Sequence, residues 1–125
     1  MLKKVIYFIC ISTLCISCYE PERNCKQFQN GKFSFTSVVN GKEQNTTFVR
    51  NGELEVDYYA NKIDSSSVRW INDCEYVVKK LNPTTTSEEK SIHMKILSTT
   101  NDSYTFEYSI VGESKKVRGT AKKIN

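Results

Sequence analysis

Histidine occurs once in these 125 residues, at His93, and tryptophan once, at Trp70. A single imidazole, no CxxC and no clustered His or Cys leave nothing to complete a zinc site. Neither a nucleophile elbow nor a phosphate-binding glycine loop appears, which removes the common signatures of acyl and phosphoryl transfer. Gly41, Gly52 and Gly112 all fall where turns are expected. Long apolar runs are also missing: Val5 to Leu14 is too short to cross a bilayer, which needs roughly 20 residues. No internal repeat or low-complexity segment divides the chain, and its length suits one domain. Charge of neither sign dominates, with 18 basic and 14 acidic residues.

What is present begins with the N-terminus. Lys3 and Lys4 followed by the apolar run read as the n- and h-regions of an exported protein. Leu14-Cys15-Ile16-Ser17-Cys18 then resembles a lipobox, with small residues before a cysteine whose thiol takes diacylglycerol. Leu usually stands three positions before that cysteine; here Cys15 does. The expected division is a signal peptide over 1–17 forming the signal helix, a lipidated tether over 18–30 and a single β-domain over 31–125. The alternative is an ordinary cleaved signal without lipid. Acyl chains on Cys18 would moor the body without a span, each buried CH₂ contributing roughly 0.8 kcal/mol. Tyr19 stands where aspartate would favour inner-membrane retention, so the expectation is the outer membrane, with the leaflet open. Lys3 and Lys4 leave with the signal, so 16 basic and 14 acidic residues remain, net +2. That gives no general drive toward nucleic acid.

Of the five cysteines, Cys10 and Cys15 leave with the signal and Cys18 carries lipid. Cys25 and Cys74 remain, and in an oxidising envelope they most simply pair. A redox pair or metal ligation is the alternative, but no neighbouring ligands support it.

From Gly31 the pattern has period two, the mark of half-buried strands. Phe33, Phe35, Ser37 and Val39 share one face of the first strand, and Asn40-Gly41 signals a hairpin. A second strand covers Gln44 to Arg50, with Phe48 its main apolar residue. After Asn51-Gly52, Leu54, Val56 and Tyr58 alternate with Glu53, Glu55 and Asp57, which reads as an apolar inner face and an acidic wet face. A loop over 61–64 leads to Ser66 to Ile71. Asn72-Asp73 turns the chain into Cys74 to Leu81, where Arg69 and Tyr76 are expected to meet as a cation–π pair. Asn82-Pro83 opens a short helix or irregular loop. Strands over 91–98, 103–111 and 115–124 complete eight. The expected fold is therefore all-β, an antiparallel up-and-down meander closing into a lipocalin-like barrel or half-barrel, with a β-sandwich as the alternative.

Gly31-Lys32-Phe33 with Arg118 on the last strand resembles the lipocalin GxW motif, in which the aromatic packs under a basic residue of the last strand; Phe replaces Trp here. Over nearly the whole chain beyond the signal, the sequence resembles small uncharacterised lipoproteins of flavobacteria and other Bacteroidetes. Cys18-Tyr19-Glu20-Pro21-Glu22-Arg23-Asn24-Cys25, the Trp70 hairpin, His93-Met94-Lys95 and Tyr104-Thr105-Phe106-Glu107 carry that resemblance, which implies no activity. Proteins of this look are sometimes labelled DNA topoisomerase IV. Such an enzyme needs an ATP-binding domain, Mg²⁺-holding acids and an Arg-Tyr nucleophile in a large dimeric gate, and none of these fits a short exported domain.

Phe33, Tyr58, Trp70, Tyr76, Tyr104, Phe106 and Tyr108 fall largely on faces assigned inward and are the candidate ligand pocket, since tyrosines offer both apolar surface and hydroxyls. A packed core is the other reading of the same residues. His93 is read as a surface or rim residue, and the basic last strand as a solvated edge. No catalytic residue, metal or cofactor is expected. The expected partners are the membrane through the lipid, and a small apolar ligand or an envelope protein bound by a monomer. A Cys18→Ala variant is expected to move from the membrane to the soluble fraction on cell fractionation; retention with the membrane would overturn the anchor.

Overall fold

The computed structural model describes residues 23–125, without the side chains of Val38 and Val39. The signal helix and Cys18 lie outside the described residues. Eight strands follow in chain order: β1 Gly31–Val39, β2 Lys42–Asn51, β3 Leu54–Tyr59, β4 Lys62–Asn72, β5 Glu75–Lys80, β6 Ile92–Thr99, β7 Ser103–Ile110 and β8 Val117–Lys123. Each pairs antiparallel with the next, and β8 returns to β1 to close a barrel. The seam is short, at Phe33↔Lys123 and Ser34↔Lys122, and is extended by hydrogen bonds between Lys32 and the last two residues. Closure removes the exposed edges that a sandwich would leave.

Tight turns make the meander possible. Asn40 and Gly41 both have positive φ, 52° and 77°, so the chain twists with its strands as a two-residue hairpin requires. Ala60 and Asn61 do the same at 45° and 60°. That second turn corrects the expected loop over 61–64: β3 passes directly into β4, which starts four residues earlier than its apolar pattern suggests. The Trp70 hairpin forms with Trp70 opposite Tyr76, its turn one residue later than expected at Asp73-Cys74, and a register shift between Trp70 and Asn72. The segment from Asn82 to Lys90 contains turns and no helix.

The hairpin turns at 40–41 and 60–61 share one end of the barrel with the long loop after β5, here the upper end. The turns at 52–53 and 73–74 lie at the other. Residues 23–30 are not a free tether but a plug across this lower end. Lys26–Phe28 forms one 3-10 turn with Phe28 fully buried. Arg23 Nη1 donates to the Ile96 carbonyl at 3.0 Å, and Lys123 Nζ to the Gln27 carbonyl at 2.8 Å. Cys25 is bonded to Cys74, fastening the plug to the Trp70 hairpin.

Inward faces follow from the register. Phe33 opposes Phe48, Phe48 opposes Asp57, and Asp57 opposes Asp64. On the far wall Trp70 opposes Tyr76, Tyr76 opposes Met94, and Met94 opposes Tyr108. The acids of β3 thus face inward while Leu54 and Tyr58 face solvent at 44% and 43% exposure, the reverse of the face assigned from apolarity. A strand's faces exchange with a single-residue change of phase, so a pattern read in isolation can choose the wrong one. The fully buried centre, Phe28, Phe33, Tyr76, Ile96 and Ala121, lies in the lower half of the barrel beside Tyr104.

Opening the Cys25–Cys74 bond frees a loop of 49 residues, worth roughly 4 kcal/mol in the chain-entropy model. Dithiothreitol, or the Cys25→Ser/Cys74→Ser variant, is expected to lower the urea midpoint by a corresponding amount; an unchanged midpoint would remove the plug from the list of stabilising elements.

Candidate functional site

The lower half of the lumen is filled and the upper half is not. A cavity of about 330 Å³ opens at the upper end, walled by Phe35, Phe48, Ile92, Met94, Phe106 and Tyr108. This lies at the small end of the roughly 300 to 1,000 Å³ range of ligand pockets. Space for it exists partly because Gly119 stands opposite Phe106: a Cβ there would meet the ring at 2.7 Å, so Phe106 lies against bare backbone instead of filling the lumen. A second hollow, also about 330 Å³, adjoins under the loop after β5 and shares Asp57, Tyr59, Val78 and Ile92 with the first.

The floor is Arg50, a charged residue of β2 at 2% exposure. Its Nε donates to Glu55 Oε2 at 2.9 Å, and Nη1 donates to the Phe28 carbonyl at 2.7 Å. Nη2 donates to the hydroxyls of Tyr76 at 2.8 Å and Tyr104 at 3.2 Å. The guanidinium also lies 4.6 Å from the Tyr76 ring centroid and 5.3 to 5.6 Å from those of Phe33, Phe48 and Trp70. Burial opposes its charge, but the oxygens of Tyr76, Tyr104 and Glu55 outweigh that and raise its pKa, so it stays a cation. Burial likewise raises the Tyr76 and Tyr104 hydroxyls, keeping them neutral acceptors.

Above this floor stand three inward acids, and they are not equivalent. Glu55 has Arg50. Asp64 accepts from Tyr59 Oη at 2.5 Å and pairs with Lys80 Nζ at 3.3 Å; those bonds, led by Tyr59, hold its pKa below the usual range. Lys80 also meets Glu88 at 2.8 Å, tying the upper loop to the wall. Asp57, between them, forms no ion pair of its own among the described residues and shares a hydrogen bond with the carboxyl of Glu55. Its burial first, then the charge of Glu55 and the hydrogen bond shared with it, then Asp64, push its pKa well above the usual carboxylate range, against the weaker attraction of Arg50.

Of the pocket residues expected from sequence, Tyr76, Tyr104, Phe106 and Tyr108 do line the cavity. Phe33 and Trp70 lie beneath it, Phe33 stacked on Phe48 at 5.0 Å and Trp70 against Tyr76 at 4.4 Å. Tyr58 is on the outer wall and takes no part. The expected cation–π pair changes partner: Arg69 is exposed, and Arg50 occupies the Tyr76 ring. Arg118 does not cover Phe33 as the GxW resemblance implies; it points outward to Glu107 at 3.3 Å, and the cation over Phe33 is again Arg50. His93 is on the outer wall, 3.2 Å from half-buried Glu75, outside either hollow. Among the described residues no group of three or more His, Cys, Asp or Glu is placed to hold a metal, and no helix is long and apolar enough to cross a membrane.

Arg50, Glu55 and Asp57 were not among the residues expected at the site. Their signal was available: with Phe48 inward and a two-residue turn after β2, pairing parity puts Arg50 and Glu55 on the inner face together.

Removing a buried cation strands its partner, so Arg50→Met is expected to cost roughly 3 to 5 kcal/mol in urea unfolding. Adding Glu55→Gln to that variant is expected to restore part of the loss. A double variant no more stable than the single would mean that the Glu55 charge is not what Arg50 neutralises.

Comparison with protein-family models, with curated proteins and with solved structures finds no match to this chain, so its functional reading rests on the lumen itself.

Proposed function

We propose that this protein is a non-catalytic, lipid-anchored module of the bacterial cell envelope that holds a small apolar molecule in the upper half of its barrel. The observation that carries the reading is the lumen's asymmetry. One end is plugged, stapled and filled by Phe28 and Arg50, whereas the other is open and lined with aromatic and aliphatic side chains. A barrel of eight strands needs no such hollow for stability, since its interior is just wide enough for side chains to fill.

The anchor fits this polarity. The chain enters the body at the plugged end, where Arg23 and Cys25 are held. Lipid on Cys18, five residues before Arg23, would therefore turn the open mouth away from the bilayer. The membrane to which Tyr19, standing where aspartate would favour inner-membrane retention, points is the outer one.

Titration calorimetry with octan-1-ol tests the reading. Saturable binding at one molecule per barrel is expected, and Ile92→Trp, which narrows the mouth, is expected to abolish it. Absence of binding, or binding that Ile92→Trp leaves unaltered, would instead favour an assembly lipoprotein whose lumen has no occupant.

A further inference from the structure

We propose that the molecule this lumen takes is an amphiphilic cation, an alkyl or aryl amine whose ammonium group sits at Asp57 with its apolar part against Phe35, Phe106 and Tyr108. The inference rests on the ligand-binding reading above and adds the chemistry of the head group. Its basis is a count of charges around the cavity.

An inward arginine suggests at first a site for a carboxylate, such as a fatty acid. Arg50 is not free to act so. Its Nε, Nη1 and Nη2 are engaged by Glu55, the Phe28 carbonyl, Tyr76 and Tyr104, four aromatic rings surround it, and its exposure is 2%. An anion entering from the mouth would find the guanidinium spent. It would meet instead the inward acids of β3 and β4.

Two of those acids are satisfied within the protein, Glu55 by Arg50 and Asp64 by Lys80 and Tyr59. Asp57 lines both hollows, shares a hydrogen bond with Glu55, whose charge Arg50 already takes up, and forms no ion pair of its own among the described residues. The titratable and charged groups facing this region are Glu55 and Tyr59 on β3, Arg50 on β2, Asp64 on β4, Tyr76 and Lys80 on β5, Tyr104 and Tyr108 on β7, and Glu88 and Lys90 in the upper loop. The two lysines of that set already meet acids, Lys80 at Asp64 and Glu88 and Lys90 at Glu113. An ammonium ion would supply the missing charge, and the aromatic wall suits it, because ring faces attract cations as well as alkyl carbon.

A pH signature follows. Without ligand, burial and the neighbouring Glu55 keep the proton on Asp57 at neutral pH, whereas the bound ammonium requires the carboxylate. Binding therefore releases a proton at neutral pH, and affinity rises with pH until Asp57 is ionised in the empty protein. The limit is about tenfold per pH unit. Octan-1-ol, which carries no charge, shows no such rise.

Calorimetry of octylamine, octan-1-ol and octanoate on the full barrel between pH 6 and 9 tests this. The expected order is octylamine above octanol above octanoate. The ratio of amine to alcohol affinity is expected to grow with pH, and octylamine titrations at pH 7 in buffers of different ionisation enthalpy should reveal proton release. In Asp57→Asn that ratio is expected to collapse toward one at every pH. If all three fail to bind, the ligand-binding reading itself falls. If octanol binds but octylamine binds no better, or Asp57→Asn keeps the amine preference and its pH slope, the lumen stands as an apolar site and the cation assignment is overturned. Preference for octanoate would overturn it equally.

Discussion

A guanidinium buried in an aromatic box holds this barrel in its shape. Arg50 reaches the plug through Phe28, the neighbouring strand through Glu55, and the far wall through Tyr76 and Tyr104. Each bond draws a different element toward the same point in the lower lumen. A buried ion pair is weak evidence for net stability, because desolvation consumes most of the Coulombic gain. Its stronger consequence is for arrangement: strands that fail to bring these partners to the guanidinium leave a charge without compensation in an apolar space. Arg50 thus favours one closure of the meander over neighbouring registers.

The same residue explains why the lumen is divided. Below it, Phe28, Phe33 and Tyr104 pack ring against ring at 5.1 to 6.3 Å, and the disulfide fixes the plug that supplies Phe28. Above it, the inward positions of β3 are short acids and Tyr59, and Gly119 leaves a gap beside Phe106. These residues cannot fill the width of an eight-stranded barrel, and a hollow results. The outer wall contributes less: pairs such as Lys90–Glu113, about half exposed on both sides, are typically worth 0 to 1 kcal/mol. Stability and the candidate site therefore sit at opposite ends of the barrel and share only the floor.

Much of the strand pattern was legible because period two is a local property. Tyr104, Phe106 and Tyr108 on alternate positions, and Ile92, Met94 and Ile96 on theirs, place β7 and β6 on their correct faces without reference to any neighbour. Asn40-Gly41 fixes a turn for a similarly local reason, its tolerance of positive φ. The pairing of Cys25 with Cys74 followed from elimination rather than geometry. Where the reading went astray, the deciding influence was distant. Leu54, Val56 and Tyr58 are the more apolar set on β3, yet they face solvent because β2 commits Phe48 and Arg50 inward. Ala60 carries no turn signature, and its left-handed conformation is imposed by the strands it joins. Phe28 gave no period-two signal because it acts alone, as a stopper.

Composition and spacing by themselves determined that this chain makes short antiparallel strands with tight turns and that Cys25 and Cys74 are the pair to be joined. These follow from properties a residue shares only with its near neighbours: backbone preference, alternation and turn chemistry. Only the tertiary structure decided which face of each strand is inside, which arginine fills the core, and which acid is left without an ion pair. Those choices depend on the closure of β8 onto β1, which gives every strand an inner and an outer side at once, so that a charge on one strand is settled by residues several strands away.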